Sequence, residues 1–191
     1  NQAERFGAET LYETVTEVKL DVYPKEIITT DGTVYAKAVV IASGAHPREL
    51  GVGKESQFRG HGVAYCATCD GMMFKDKDVV IVGGGNSAIA DALFLDKICR
   101  KVTLIHRRDE LRASRVYQQQ LEKSHIDFVW NSQVVELIGD KHLTGIKVQN
   151  LKTNEISELT TDGLFVAIGR VPDTELVKGQ IELDKRGYII A

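Results

Sequence analysis

Asp78-Val79-Val80-Ile81-Val82-Gly83-Gly84-Gly85-Asn86-Ser87-Ala88 decides the fold. Val79 to Val82 is an unbroken β-branched run, the pattern of a strand covered on both faces. It stops at three glycines that open G-x-G-x-x-A. Gly83 permits a tight turn, Gly85 lets backbone approach a pyrophosphate, and small Ala88 lets the following helix pack against the strand. An anion then lies at the helix N-terminus, where free N–H groups and the dipole favour it. Asn86 to Ile98 carries the helical pattern, with Ile89, Ala92, Leu93 and Leu95 as its apolar face and Asn86 or Ser87 as cap. Lys101 to Ile105 reads as a second strand, about Ala113 to Lys123 as a helix anchored by Val116 and Leu121, and Ile126 to Trp130 as a third strand. This βαβαβ order is half of a doubly wound α/β sheet. A glycine triplet alone also suits a plain loop; the elements around it favour dinucleotide binding through Gly83, Gly84, Gly85, Asn86, Ser87 and Ala88.

The choice of dinucleotide is made at the tip of the second strand. An NAD site places a carboxylate there for the ribose 2′-hydroxyl. Here the strand runs into His106-Arg107-Arg108, with Arg112 and Arg115 beyond. Guanidinium groups grip a 2′-phosphate through bidentate charge-assisted hydrogen bonds. At roughly 1.5–3 kcal/mol each, two such bonds favour NADP(H) over NAD(H) by about a hundredfold or more. The competing reading is a solvated basic helix start neutralised by Asp109 and Glu110.

Working outward, Val134 to Ile138, Leu143 to Gln149 and Glu155 to Leu159 read as antiparallel strands, and Gly163 to Gly169 as another buried one. Upstream, Leu11 to Val22 alternates imperfectly, with Leu11, Val15, Val18, Leu20 and Val22 as its expected buried positions. Glu26 to Thr30 and Thr33 to Ala36 form a hairpin around Asp31-Gly32. Ala38 to Ala42 is nearly continuous in apolar residues and predicts a strand covered on both faces. His46 to Gly53 and Arg170 to Asp173 read as linkers. The 191 residues, 43% hydrophobic and 27% charged, suit a globular protein and exclude collagen-like, coiled-coil and disordered chains. A net charge of −3 gives no general reason to expect nucleic acid or an anionic membrane as partner. The longest apolar runs fall short of a membrane span. The chain opens without Met and ends within the extended run Gly187 to Ala191, and is read as a piece of a longer protein.

Three cysteines cannot make a disulfide framework for this length. Cys66-Ala67-Thr68-Cys69-Asp70 is a CxxC, and Cys99 stands apart. A structural zinc site needs a second ligand pair, and the five histidines are scattered. Reversible dithiol–disulfide exchange fits better, one thiolate attacking and the other resolving. Asp70 stands next to the pair as a candidate acid/base. Inert buried thiols are the third possibility.

Gly62-Val63-Ala64-Tyr65-Cys66-Ala67-Thr68-Cys69-Asp70-Gly71, the loop Gly83 to Ala88, His106-Arg107-Arg108-Asp109-Glu110-Leu111-Arg112-Ala113 and Gly163 to Gly169 together resemble the bacterial low-molecular-weight thioredoxin reductases. The resemblance covers nearly the whole chain; the linker Gly51 to Glu55 departs from it by lacking a proline. It implies a cytoplasmic, homodimeric flavoenzyme passing electrons from NADPH through FAD to a Cys66–Cys69 disulfide and on to thioredoxin. It also implies a Rossmann-like NADPH-binding domain, 48–171, inserted in a partial FAD-binding domain made of 1–47 and the returning segment 172–191. Ser43, Gly44 and Ala45 match a flavin-side loop. Cys69 would lie nearer the flavin, Cys66 would engage thioredoxin, and Asp70 would serve as acid/base. The family's opening FAD-binding glycine loop and later Gly-Asp segment are not in this sequence, so the chain alone is expected to bind NADP(H), to be colourless and to be inactive. Order along the chain puts the cysteine pair and the glycine loop in one domain while both must reach a flavin in the other. A rigid-body rotation about the strands near Pro47 and Pro172 is therefore expected to let nicotinamide and disulfide reach it in turn. Three alternatives remain: the flavin subunit of an alkyl hydroperoxide reductase system, a flavin dithiol oxidase (disfavoured by Arg107, Arg108 and Arg112), and a non-catalytic NADP-binding redox module.

Overall fold

The computed structural model describes residues 2–190; Asn1 and Ala191, the tips of the two terminal runs, lie outside them. The chain divides into two compact units, 1–46 with 171–191, and 47–170.

The first unit holds an antiparallel sheet of β1 (Val15–Lys19), β2 (Lys25–Thr29) and β3 (Thr33–Ala36), in that order. Asp31-Gly32 makes the predicted turn: the Thr29 hydroxyl donates to the Gly32 carbonyl, and the Thr29 amide bonds that same oxygen at 2.8 Å. Burial is sparser than the alternation suggests. Val18 is buried, whereas Leu11 is 56% exposed and Val22 38% exposed. The strand expected over Ala38 to Ala42 does not form, and Val40 is 92% exposed. A continuous apolar run makes a strand only where neighbours pair with it and cover both faces. No strand of the described residues does so here.

The chain leaves this unit through β4 (Ala45–Pro47) and returns through β13 (Arg170–Pro172), and these two strands pair with each other. Between them lie α1 (Glu55–Phe58), β5 (Val63–Ala64), α2 (Ala67–Asp70), β6 (Asp78–Val82), α3 (Asn86–Leu95), β7 (Lys101–Ile105), α4 (Arg115–Leu121), β8 (Asp127–Val129), β9 (Ser132–Gly139), β10 (Leu143–Asn150), β11 (Ile156–Thr160) and β12 (Gly163–Val166). β5, β12, β6, β7 and β8 form a parallel sheet in that order, with β6 and β7 in register from Asp78↔Lys101 to Val82↔Ile105. β9 to β11 form an antiparallel sheet of their own.

The unbroken apolar runs follow from two-sided burial. Along β6, Val79 and Ile81 join one core cluster with Ile89, Leu95 and Leu104, while Val80 and Val82 join another with Val134, Leu137 and Ile146. Side chains of a strand alternate between faces, so helices cover one face of the parallel sheet and the antiparallel sheet covers the other. Each fully buried Ile or Leu contributes about 1.5–3 kcal/mol. Helix α4 is shorter than the pattern suggests, and its expected anchor Val116 is 65% exposed while Leu121 is buried. A stretch of two turns buries a single flank, and here that flank is Leu121's.

Candidate nucleotide-binding loop and redox disulfide

Parallel packing sets β6 and β7 level at their C-terminal ends, and the glycine loop continues straight from that edge. The Gly83 amide donates to the Ile105 carbonyl at 3.1 Å. A Cβ on Gly83 would lie 2.4 Å from the Ala167 carbonyl oxygen and 2.6 Å from the Ala88 Cβ, so these residues are in close helix–strand packing. A Cβ on Gly84 would lie 2.2 Å from the His106 ring, whereas a Cβ on Gly85 would meet nothing within 4 Å. Gly85 therefore faces open space where α3 begins. Ala88 is fully buried and acts through packing. The Asn86 side chain is engaged within the protein, its Oδ1 accepting from the Ser114 amide at 2.7 Å.

The arginine loop is held against the glycine loop by backbone. The Arg112 amide donates to the Gly84 carbonyl at 2.8 Å, Asn131 to Arg108 at 3.2 Å and Ser132 to His106 at 3.0 Å. Arg107, Arg108 and Arg112 are exposed. Asp109, a candidate neutraliser, is paired with Lys152 at 2.9 Å. Among the described residues no carboxylate pairs with the three arginines, so a solvated, internally neutralised helix start does not describe this loop. His106 differs from them. It is buried, and burial first, then Arg107, Arg108 and Arg112, push its pKa down, so the ring is held neutral. Its Nε2 is buried without a hydrogen-bond partner among the described residues. A buried polar atom left unpaired costs stability unless something reaches it. An open glycine edge, unpaired guanidiniums and an orphaned imidazole nitrogen fit a phosphorylated dinucleotide. Alanine at Gly84 is expected to drive the His106 ring aside and destabilise the chain by about 1–3 kcal/mol; a lowered melting midpoint together with lost NADP(H) binding in calorimetry checks this.

Trp130 was not singled out as a site residue from sequence. Its indole stacks on Phe128, ring centres 4.9 Å apart, and meets the His106 ring edge-on at 6.3 Å. It lies one residue past β8, beside the arginine loop, and is the single tryptophan of the chain.

Cys66 and Cys69 form a disulfide. Cys66 caps α2 and its Sγ accepts from the Cys69 amide at 3.2 Å, while the Asp70 amide bonds the Cys66 carbonyl at 3.0 Å. Cys69 and Thr68 are exposed; Cys66 and Asp70 are half-buried. Cys99 is a free thiol pushed up to about 11 by burial and by Asp76. It stays protonated near neutrality and takes no part in thiolate chemistry. No group of three or more metal-binding side chains occurs among the described residues, so nothing there completes a zinc site around the CxxC.

A buried carboxylate supports the approach to the disulfide. Glu55 is 4% exposed, and its oxygens accept from the Leu50 and Gly51 amides, each at 2.9 Å, and from the Tyr65 hydroxyl at 2.7 Å. The Arg59 guanidinium lies 4.7 Å from the centre of the Tyr65 ring and bonds Glu49 at 3.1 Å. Burial, and then Glu55, push the Tyr65 phenol up to about 12. The folded-state value lies above the ordinary tyrosine value, so this contribution to stability is complete below pH ~10 and is lost as pH rises towards 12. A tyrosinate absorbance step near pH 12 is expected, and Tyr65→Phe should remove it.

Ser43, Gly44 and Ala45 lie in the first unit. Gly44 is left-handed at φ +81°, and its carbonyl accepts from the Asp173 amide at 3.0 Å. Among the described residues this unit holds no α-helix, so it offers no strand–glycine loop–helix for a second pyrophosphate.

Residues 2–191 match the family model described as pyridine nucleotide-disulphide oxidoreductase. The chain is 48% identical over 190 residues to the thioredoxin reductase of Streptomyces coelicolor, covering 98% of this chain and 59% of that protein. Lactococcus lactis thioredoxin reductase, in a crystal structure titled as its FR conformation, superposes with a TM-score of 0.89 at 37% identity, covering 98% of this chain and 63% of that one. The crystal structure of T. acidophilum thioredoxin reductase superposes with a TM-score of 0.84 at 38% identity, covering 93% of this chain and 59% of that one. This chain thus spans about three fifths of the length of these relatives. With a glycine loop and a CxxC disulfide on one parallel-sheet unit, and a family model matching residues 2–191, the chain belongs to the pyridine nucleotide-disulphide oxidoreductase family.

Proposed function

We propose that this chain is the nicotinamide- and disulfide-bearing part of an NADPH-dependent thioredoxin-disulfide reductase. The observation that carries the reading is the Cys66–Cys69 disulfide built into the same unit as the glycine loop and its unpaired arginines. Gly83, Gly84 and Gly85 with the start of α3 receive the pyrophosphate, and Arg107, Arg108 and Arg112 the 2′-phosphate. Asn86 and Ala88 hold the loop in shape, and neutral His106 supports it from beneath. Overall, NADPH and one proton yield NADP⁺ while the S–S bond opens to two thiols, and those thiols reduce a thioredoxin disulfide by exchange. The Cys69 amide bonded to Cys66 Sγ favours thiolate character at Cys66 after reduction. Asp70 is the proposed proton donor and acceptor.

Flavin supplies the relay between a hydride and a disulfide when it is bound in the longer protein. The first unit as described lacks the element to hold it, so the 191-residue chain should bind NADP(H), purify colourless and show no turnover. Ser43, Gly44 and Ala45 are assigned to the flavin side of the longer enzyme. A cytoplasmic homodimer is part of the same proposal, and no helix among the described residues is long and apolar enough to cross a membrane. The test is NADPH-driven disulfide reduction by the full-length, flavin-loaded form. Electron delivery to a peroxiredoxin with no effect on thioredoxin would instead favour the alkyl hydroperoxide reductase reading.

A further inference from the structure

Two histidines distant in sequence stand together on the surface of the second unit. The rings of His61 and His142 have centres 5.4 Å apart and planes inclined by 63°, and both residues are exposed. Their backbones are fixed. The Leu143 amide donates to the His61 carbonyl at 3.0 Å, the His61 amide to Phe58 at 2.8 Å and the Leu164 amide to Gly62 at 2.7 Å. Gly62, at φ +121°, lets this contact close, since a Cβ there would lie 2.4 Å from the Leu143 Cβ. On the other side, Gly139 opens the β9–β10 turn at φ +150°, and Gln57 Nε2 donates to the Asp140 carbonyl at 2.8 Å.

The geometry points to a transition-metal site in which His61 and His142 are two imidazole ligands for a zinc-class divalent cation. A Zn–N bond of about 2.1 Å, with the ring centre about 1.1 Å behind the nitrogen, puts the cation about 3.2 Å from each ring centre. Two such rings at a tetrahedral angle have centres about 5.2 Å apart, against about 4.5 Å for the right angle of square-planar coordination. The observed 5.4 Å agrees with the tetrahedral value. Neutral imidazole selects zinc over magnesium or calcium, which take oxygen ligands. No third donor joins the pair among the described residues, so water fills the remaining positions. Asp140 and Lys141, in the same turn, offset each other in charge. The site would staple the β9–β10 turn to the segment entering β5. It is independent of the nucleotide and disulfide assignments.

Zinc chloride titrated calorimetrically into the 191-residue chain tests this, with the Cys66–Cys69 disulfide intact and Cys99→Ser in every sample so that thiols do not compete. One equivalent should bind with micromolar affinity, and His61→Ala or His142→Ala should each weaken binding at least tenfold. His125→Ala, at an exposed histidine elsewhere, should change nothing, and magnesium chloride should give no saturable heat. As an independent readout, zinc should raise the melting midpoint of the parent chain but not of the double variant. Absence of saturable zinc binding, or binding that survives loss of both His61 and His142, overturns the proposal and leaves the pair an edge-to-face ring contact.

Discussion

Replacing Arg107 and Arg108 together with alanine should weaken NADPH binding about a hundredfold or more and leave NADH binding nearly unchanged. The expectation rests on where the neighbouring carboxylates are. Asp109 is committed to Lys152, and no acid among the described residues neutralises Arg107, Arg108 or Arg112. Each guanidinium–phosphate bond is worth roughly 1.5–3 kcal/mol, and an exposed site delivers the lower end of that range. NADH lacks the 2′-phosphate, so it has nothing to lose. Trp130, in ring contact with His106, is the natural reporter, and its fluorescence should follow nucleotide titration in the unmutated chain. Equal affinities for NADPH and NADH before mutation would refute the phosphate assignment while leaving dinucleotide binding intact. High salt should narrow the preference, because the pairing involves exposed charges.

The second large effect concerns the sulfurs. In the full-length, flavin-loaded form, Cys69→Ser should lower NADPH-driven thioredoxin reduction by at least about a thousandfold, the usual scale for removing a reacting group. NADPH affinity should be unchanged, since the glycine loop and the arginines lie elsewhere on the sheet. Cys99→Ser should have little effect on turnover, because that thiol is held protonated by its surroundings. Residual activity in Cys69→Ser close to the parent's would remove the disulfide from the reaction.

How much of this was legible in the sequence depends on how local the interactions are. β6, the glycine loop and α3 could be read because strand, turn and helix start are consecutive and the apolar run of β6 carries its own record of two-sided burial. The hairpin at Asp31-Gly32 is equally local. Ala38 to Ala42 has the same texture as β6 yet forms no strand, because apolar continuity says that cover is needed and not whether it is there. Val116 misled for a related reason: in a helix of seven residues, one shift in facing angle exchanges a buried position for an exposed one.

The site was legible in its motifs and not in its supports. Glu55 reads as an ordinary surface glutamate, and its burial follows from donors at Leu50, Gly51 and Tyr65 that the fold brings to it. The Asp109–Lys152 pair and the His61–His142 contact each join residues far apart in sequence. Trp130 had one available signal, its place just past the third parallel strand, where a residue stands level with the tip of the second. His106 stands in a basic run, and nothing local in that run says that its ring is buried against the Gly84 backbone, which leaves room for it by carrying no side chain.

The most direct test of the account is to mix the full-length, flavin-loaded protein anaerobically with one equivalent of NADPH, quench with an alkylating reagent and locate the label by mass spectrometry. Label on both Cys66 and Cys69, with Cys99 unchanged from the untreated control, is the predicted result. NADPH consumed while Cys66 and Cys69 remain joined and unlabelled would contradict it.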